Sequence, residues 1–186
     1  SAIYPHPRAD LAQAQEHKND LLCLALDLGA GDHLLEIGTG WGGFAIHAAT
    51  RYGCRVTTTT ISREQHRLAC ERVRAAGLAD RVTVLLEDYR DLNGSYDKVV
   101  SIEMIEAVGH EYYPAFFRRC DELLTEDGLA VLQAITIDDA LYDDARRRVD
   151  FIKHAIFPGS CIPSVAALTD AARGAGALRL LDARDY

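Results

Sequence analysis

No stretch of this sequence approaches the roughly 20 apolar residues that a membrane-spanning helix needs. An excess of positive charge is missing too. The 186 residues carry a formal charge of −8, which argues against nucleic acid as a partner and gives no general attraction to anionic lipid. Membrane contact would need a local basic or apolar patch. Metal-ligand spacing is also lacking. The seven histidines form no H-x-x-x-H or H-E-x-x-H group, and no two of the five cysteines stand in C-x-x-C. No metal site is expected, and an odd cysteine count reads as buried reduced thiols of a cytosolic protein rather than a disulfide framework. No signal peptide is visible, and Ser1 is not an initiator methionine, so an upstream piece is expected. Repeats, low-complexity tracts and an interdomain linker are absent as well. What remains is one domain, residues 1–186, of ordinary size and globular composition.

What is present is concentrated in Leu34-Leu35-Glu36-Ile37-Gly38-Thr39-Gly40-Trp41-Gly42-Gly43. An apolar run stops at a cluster of glycines, and a helical pattern, Phe44 to Arg51, follows at once. Strand, glycine turn and helix form the entrance to a doubly wound α/β domain. Glycines let the backbone turn sharply and approach a ligand, and helix-end N–H groups point at it. A nucleotide-like cofactor is therefore expected. Gly38, Gly40 and Gly43 fit the dinucleotide pattern G-x-G-x-x-G. Gly38, Gly40 and Gly42 fit G-x-G-x-G, common among S-adenosylmethionine (SAM) methyltransferases. An NAD site also wants an acid at the end of the second strand. The second strand here, Arg55 to Ile61, ends without one, which weakens the reading as an NAD-dependent oxidoreductase.

The pattern predicts a helix over Leu11–Leu28 and strands over His33–Ile37, Arg55–Thr60, Val82–Leu86, Lys98–Ile102 and Leu129–Ile137. It predicts helices over Gly43–Tyr52, from Ser62 to Gly77 with a Ser62/Gln65 capping box, from Glu103, over Pro114–Leu124, over Leu141–Ala155 and from Ser164 to Ala172. A sixth strand is expected at Ala177–Leu181. Strands alternating with helices give a mostly parallel sheet covered on both faces. Ligands sit at the carboxyl ends of such strands.

The loops at those ends carry the candidate chemistry. Thr60 and Gln65 can hold ribose hydroxyls in place of the usual acid, with Gln65 equally readable as a helix cap. Asp88 can accept from an adenine amino group, beside Tyr89 as a flat wall. In Ser101-Ile102-Glu103-Met104-Ile105-Glu106-Ala107-Val108-Gly109-His110, Glu103 and Glu106 are expected to share a face of one short helix. A partly buried glutamate is costly unless it is bonded or has work to do. Glu106 is favoured as a site residue, Glu103 stays open between a site role and a helix-end acid, and His110 reads as a loop histidine. Gln133 and Ile135 end the fifth strand. Gln133 either points into the site or is a core glutamine bonded to backbone.

The ordered set Glu36-Ile37-Gly38-Thr39-Gly40-Trp41-Gly42-Gly43-Phe44, Thr60-Ile61-Ser62-Arg63-Glu64-Gln65, Glu87-Asp88-Tyr89-Arg90-Asp91-Leu92, Ser101 to Gly109 and Ile156-Phe157-Pro158-Gly159 resembles the cyclopropane-fatty-acid synthase family, which includes mycolic acid cyclopropane synthases. The resemblance covers essentially the whole chain. It implies a class I SAM-methyltransferase (Rossmann-like) fold and transfer of the SAM methyl to the cis double bond of an unsaturated fatty acyl chain, usually in a phospholipid. The steps implied are a carbocation followed by proton removal by a bound bicarbonate.

By the same resemblance Glu106 helps hold bicarbonate, Ile135 contributes backbone to that pocket and Gln133 stands where several members have a histidine. Ser1 falls where many have a cysteine whose backbone contacts the anion. The implied cofactor set is Glu36, Gly38, Gly40, Gly42, Thr60, Gln65, Asp88, Tyr89 and Ile102. Residues 1–30 are then a helical lead-in, 31–140 the SAM-binding core and 141–186 the start of an acyl-substrate region. The chain is expected to be cut at both ends, which leaves a SAM-binding fragment without lipid turnover as the alternative. Localisation is expected to be cytoplasmic, with peripheral contact at the inner membrane face. Oligomeric state, acyl length and the choice between ring, methylene and methyl-branch products are left open.

Overall fold

The computed structural model describes residues 1–149 and 151–186. They form two compact units, residues 1–100 with 124–131 and 186, and residues 101–123 with 132–185.

The first unit opens with helix α1, Leu11–Ala25. Asp10 caps it: its carboxylate accepts from the Gln13 N–H at 2.8 Å, and Gln13 Oε1 accepts from the Asp10 N–H at 3.1 Å. The helix stops three residues short of the expected Leu28. Asp27 turns left-handed at φ 48° and the Leu28 N–H closes back on the Cys23 carbonyl at 3.1 Å.

Strand β1, His33–Ile37, lies at the centre of a five-stranded sheet of order β3-β2-β1-β4-β5, with β2 Arg55–Thr60, β3 Val82–Leu86, β4 Tyr96–Ile102 and β5 Leu124–Gln133. β1, β2 and β3 run parallel, with Leu35 beside Thr57 and Thr57 beside Thr83. Leu34 and Leu35 are fully buried, as a central parallel strand covered on both faces requires. Truncating either to alanine should cost about 2–5 kcal/mol. The strand order reverses at β1, and the glycine turn leaves its carboxyl end at that switch point.

Helix α2, Gly43–Tyr52, buries Phe44, Ala45, Ala48 and Ala49 along one stripe, where alanines allow a close approach to β2. Gly53, left-handed at φ 73°, ends it. Helix α3, Arg63–Ala75, is capped by Ser62, whose hydroxyl accepts from the Gln65 N–H at 3.3 Å. Only that half of the expected capping box forms, because the Gln65 side chain is drawn to Thr60 instead.

The second unit packs helix α4, Tyr113–Leu123, against helix α6, Val165–Ala175. Tyr113 is buried and donates its hydroxyl to the Cys161 carbonyl at 2.7 Å. Several expectations fail here. The helix expected to run on to Ala155 is α5, Asp139–Arg147, followed by a separate π-helical turn at Ile152–Ile156. Arg148 is extended, and Lys153 Nζ caps the Ala145 and Arg148 carbonyls. The last strand of the sheet ends at Gln133, not Ile137; Ile137 instead bridges Ser164. The expected strand at 177–181 is not formed, and the Ala177 N–H donates to Asp121 Oδ2 at 3.1 Å. Among the described residues no helix is long and apolar enough to cross a membrane.

Candidate functional site

The glycine turn is pinned from beneath. The Gly38 and Thr39 N–H groups donate to the Thr59 carbonyl at 3.1 and 2.9 Å. Below them runs a buried polar chain. The Thr39 and Thr58 hydroxyls are 2.7 Å apart, and Thr58 Oγ1 donates to Glu36 Oε2 at 2.6 Å. Burial pushes the Glu36 carboxyl up to about 8, with the Thr58 bond and the Lys18 charge pulling the other way. Glu36, only 2% exposed, thus stands under the turn and reaches it through Thr58 and Thr39. Sequence reasoning missed Lys18, Thr39 and Thr58. The four consecutive threonines of β2 were the available signal, since polar residues in a central strand must bond to something.

Two glycines play opposite parts. Gly40, at φ 50°, faces open space: an added Cβ would meet nothing within 4 Å. Gly42, at φ 80°, faces α3, where an added Cβ would lie 3.2 Å from Ala69 Cβ. The first leaves room for a ligand; the second allows two chain segments to touch.

At the end of β2, Thr60 donates to Gln65 Oε1 at 2.7 Å and accepts from the Ser62 N–H at 3.1 Å. With its carbonyl oxygen engaged, Gln65 presents its amide NH₂ as the donor. At the end of β3, Asp88 accepts from Arg90 N and Nε at 2.9 Å and from Nη2 at 2.7 Å. The Arg90 guanidinium holds the Asp88 carboxyl below its ordinary value against some opposition from burial. Tyr89 beside it is half-buried. These loops, with the glycine turn, make a cradle of backbone N–H groups, hydroxyls and one ionised carboxylate suited to a nucleoside.

The second unit holds the acidic cluster. Ile102 ends β4, and Glu103 follows in left-handed backbone at φ 51°. Glu103 therefore does not share a helix with Glu106; the helical turn begins at Ile105. The reason is local, because the Glu103 N–H stays with the sheet and donates to the Gln133 carbonyl at 2.8 Å. Gln133 Nε2 in turn donates to Glu103 Oε1 at 2.9 Å. Glu106 Oε1 accepts from the Ile135 N–H at 2.5 Å, while Glu106 Oε2 is buried and has no hydrogen-bond partner among the described residues. Burial pushes the Glu106 carboxyl above its ordinary value, the Ile135 N–H pulls it down and the Glu103 charge pushes it up again. Ile135 takes part through its backbone alone, its side chain being 54% exposed. His110 opens a short helical turn, His110–Tyr112, rather than lying in a plain loop.

A bicarbonate ion here would need N–H donors. The Ile135 N–H is given to Glu106, and one of the two N–H groups of the Gln133 amide to Glu103. Glu103 and Glu106 stand beside those donors, and like charges repel. The buried Glu106 Oε2 offers a single partner, and only when protonated.

Comparison with known proteins identifies the lineage. The model for mycolic acid cyclopropane synthetase matches residues 1–185. The chain belongs to that family. The tuberculostearic acid methyltransferase UfaA1 of Mycobacterium tuberculosis is 44% identical over 174 residues, which are 94% of this chain and 40% of that protein. The cyclopropane-fatty-acyl-phospholipid synthase of Escherichia coli K12 is 40% identical over 166 residues, 89% of this chain and 41% of that protein. The chain thus spans about two fifths of these relatives. The solved structure of mycolic acid cyclopropane synthase CmaA1, complexed with SAH and CTAB, superposes with a TM-score of 0.86 at 30% identity, covering 94% of this chain and 65% of that one. The fold is that of a class I SAM methyltransferase.

Proposed function

We propose that this chain is the cofactor-binding part of a SAM-dependent C-methyltransferase acting at the cis double bond of an unsaturated fatty acyl chain, most simply one carried by a phospholipid. One observation carries the reading: the family match runs from residue 1 to residue 185 and takes in both the glycine turn and the Glu103–Gln133 cluster. The names of the relatives, a methyltransferase and a synthase of fatty acyl lipids, support the substrate class. Thr60 rather than an acid at the end of β2 weakens the NAD reading, and it also departs from the commonest methyltransferase pattern, so Thr60 and Gln65 are left to hold the ribose.

SAM, when bound, supplies an electrophilic methyl group on a positively charged sulfur. In this reading Gly38 and Gly40 let the backbone approach the cofactor, with Gly42 shaping the turn. Thr60 and Gln65 serve the ribose hydroxyls, Asp88 accepts from the adenine amino group, and Tyr89 walls the base. Glu36 supports the turn from below. An alkene is a poor nucleophile, so positioning and exclusion of water must supply most of the acceleration. Methyl transfer to one alkene carbon leaves a carbocation at the other, and a base must then remove a proton. Glu106, Gln133 and Ile135 belong to the group that manages that proton. No step is assigned to bicarbonate.

Residues 1–30 serve as a lead-in, 31–140 as the cofactor core and 141–186 as the start of the acyl-substrate region. Exposed Val149, Phe151, Ile156, Phe157 and Ile162 support the last assignment and supply the local apolar patch that peripheral contact with a membrane face would use. The setting proposed is the cytoplasmic side of that membrane.

The experiment combines SAM labelled in its methyl group with vesicles of unsaturated phospholipid, and the lipid is read by mass spectrometry. A gain of one carbon at the double bond is expected, and calorimetry should give heat with SAM and none with NAD. Tight SAM binding with no label in lipid would reduce the chain to a cofactor-binding fragment.

A further inference from the structure

We propose that a basic cleft within the second unit holds the phosphate of an anionic phospholipid headgroup, with the apolar side chains that follow it in sequence entering the same leaflet. The choice of a lipid as occupant rests on the lipid-methylation reading; the basic cleft does not.

The cleft has a volume of about 210 Å³ and is lined by Arg146, Arg148 and Lys153, with His110, Ser160 and Val149. Among the described residues no carboxylate lines it. Two guanidinium groups, an ammonium, an imidazole and a hydroxyl are the donors that an oxyanion needs. The cations gathered around one small space repel each other, which an anion between them relieves. Arg146 Nε is shielded from solvent and has no hydrogen-bond partner among the described residues. A buried N–H left unpaired is costly, and an anion's oxygen would offset that cost. Both arginines do meet carboxylates outside the lining: Arg146 Nη2 lies 2.8 Å from Asp143 Oδ1, and Arg148 Nη2 lies 2.7 Å from Asp144 Oδ2. Those aspartates are largely exposed, and exposed pairs contribute little. A guanidinium also has five N–H donors, so one carboxylate contact leaves others for a phosphate. Lys153 Nζ donates to the Ala145 and Arg148 carbonyls, which ties the turn after α5 back to the helix end and holds the cations together.

The surroundings favour a lipid headgroup over a free phosphate. Val149 lines the cleft and is exposed, and Phe151, Ile156 and Phe157, at least half exposed, follow in the same segment. A free phosphate would use the cations and leave those side chains in water. Apolar and aromatic residues interleaved with Arg and Lys suit a segment lying in the interface of an anionic leaflet. Charge selects the headgroup. A zwitterionic headgroup balances its phosphate with an ammonium, for which the cleft has no carboxylate; a headgroup of net negative charge has no such cation to place. In sequence, residues 146–157 carry Arg146, Arg147, Arg148 and Lys153 against the single acid Asp150, within a chain of formal charge −8. The rest of the chain is therefore repelled by the leaflet that this segment attracts, so contact is confined to the segment and oriented by it.

The test uses the full chain as made in the cell and vesicles of phosphatidylcholine, alone or mixed with phosphatidylglycerol, with binding read by flotation. Wild type should bind the mixed vesicles roughly tenfold or more tightly, at about fivefold for each basic residue near an anionic surface, and the preference should shrink as salt is raised. Arg146→Gln/Arg148→Gln should lose most of that preference. Arg67→Gln/Arg74→Gln on α3 removes the same charge elsewhere and should bind as wild type does. Thermal unfolding checks each variant. Because the Arg146 guanidinium also lies over the Tyr142 ring, 5.8 Å from its centroid, Arg148→Gln alone is the second variant and should lose about fivefold. Phe157→Ser should weaken binding to the mixed vesicles about tenfold, the scale for removing one buried aromatic side chain. Inorganic phosphate, followed by ³¹P line broadening, separates the two sources. Broadening that the arginine variants abolish, with vesicle binding unchanged in those variants and in Phe157→Ser, would mean a free-phosphate site and overturn the headgroup assignment. Equal binding of wild type to both vesicles, or full binding by Arg148→Gln and by the double variant, would overturn the cleft as well. Methyl transfer is read separately: vesicle binding as expected with no label in lipid would leave the cleft standing and overturn the lipid-methylation reading instead.

Discussion

Gln133 and Glu103 hold each other by two bonds of opposite kind, a backbone bond at 2.8 Å from Glu103 to Gln133 and a side-chain bond at 2.9 Å from Gln133 to Glu103. The pair joins the end of β5 to the residue that leaves β4, and it holds a glutamate in backbone that glycine would occupy with less strain.

The strain is measurable by comparing two truncations. Glu103→Ala and Glu103→Gly both lose the side-chain bond, but only alanine keeps a Cβ in left-handed backbone. Glu103→Gly should therefore be the more stable of the two by about 1 kcal/mol, the ordinary penalty for that conformation. Urea unfolding of both variants measures the difference. Equal stability, or a more stable alanine variant, would mean that φ 51° is not maintained in solution.

Gly40 and Gly42 should separate binding from folding. At Gly40 a side chain enters open space, so Gly40→Val should keep the fold and weaken SAM binding at least tenfold, about 1.4 kcal/mol. At Gly42 even a methyl group presses on Ala69 in left-handed backbone, so Gly42→Ala should lower stability by about 1–3 kcal/mol before any ligand is added. Calorimetry with SAM and thermal unfolding of each variant decide it. A folded Gly40→Val with unchanged SAM affinity would remove the turn from the cofactor site.

Glu36 should make stability depend on pH. Its carboxyl is raised to about 8 by burial, against an unfolded value near 4.3. The folded state therefore holds more protons than the unfolded state between those values. Its contribution is complete below the unfolded value and is lost as pH rises through about 8. The slope is at most about 1.4 kcal/mol per pH unit, softened by the Lys18 charge. In Glu36→Gln the decline between pH 5 and 8 should flatten, as read from urea midpoints across that range. A wild type whose stability rises over the same interval would mean that Lys18 keeps Glu36 ionised.

The cofactor half of the site was more legible in sequence than the acidic half. The apolar run of β1, the glycines and the caps at Ser62 and Ser164 are local signals, and those elements fall where periodicity and turn chemistry put them. Glu103 was misplaced onto a helix because the bond that holds it to Gln133 joins residues 30 apart, which no local pattern records. The ends of α5 and β5 were misjudged for a related reason. Lys153 reaches back to cap α5, and Ile137 leaves the sheet to meet Ser164, both decided by tertiary partners. Lys18, Thr39 and Thr58 passed unnoticed since each is unremarkable alone; only their shared burial around Glu36 makes them a network.

Glu106 provides the last test, in two stages. Its carboxyl is raised by burial first and by the Glu103 charge as well, so it contributes stability below its unfolded value that is lost as pH rises through its raised folded value. Glu106→Gln cannot ionise. Relative to wild type it should gain stability as pH is raised from acid to mildly alkaline, and a constant difference would show that Glu106 titrates normally. Turnover should respond differently. If Glu106 carries an exchangeable proton, a glutamine fills the space but cannot pass that proton on. Lipid methylation should then fall by roughly 10²-fold, the scale for losing acid–base assistance. SAM affinity should stay within about twofold, because the carboxyl serves the proton-transfer step rather than cofactor binding. A variant that loses SAM binding and turnover in equal measure would make Glu106 part of the cofactor cradle instead.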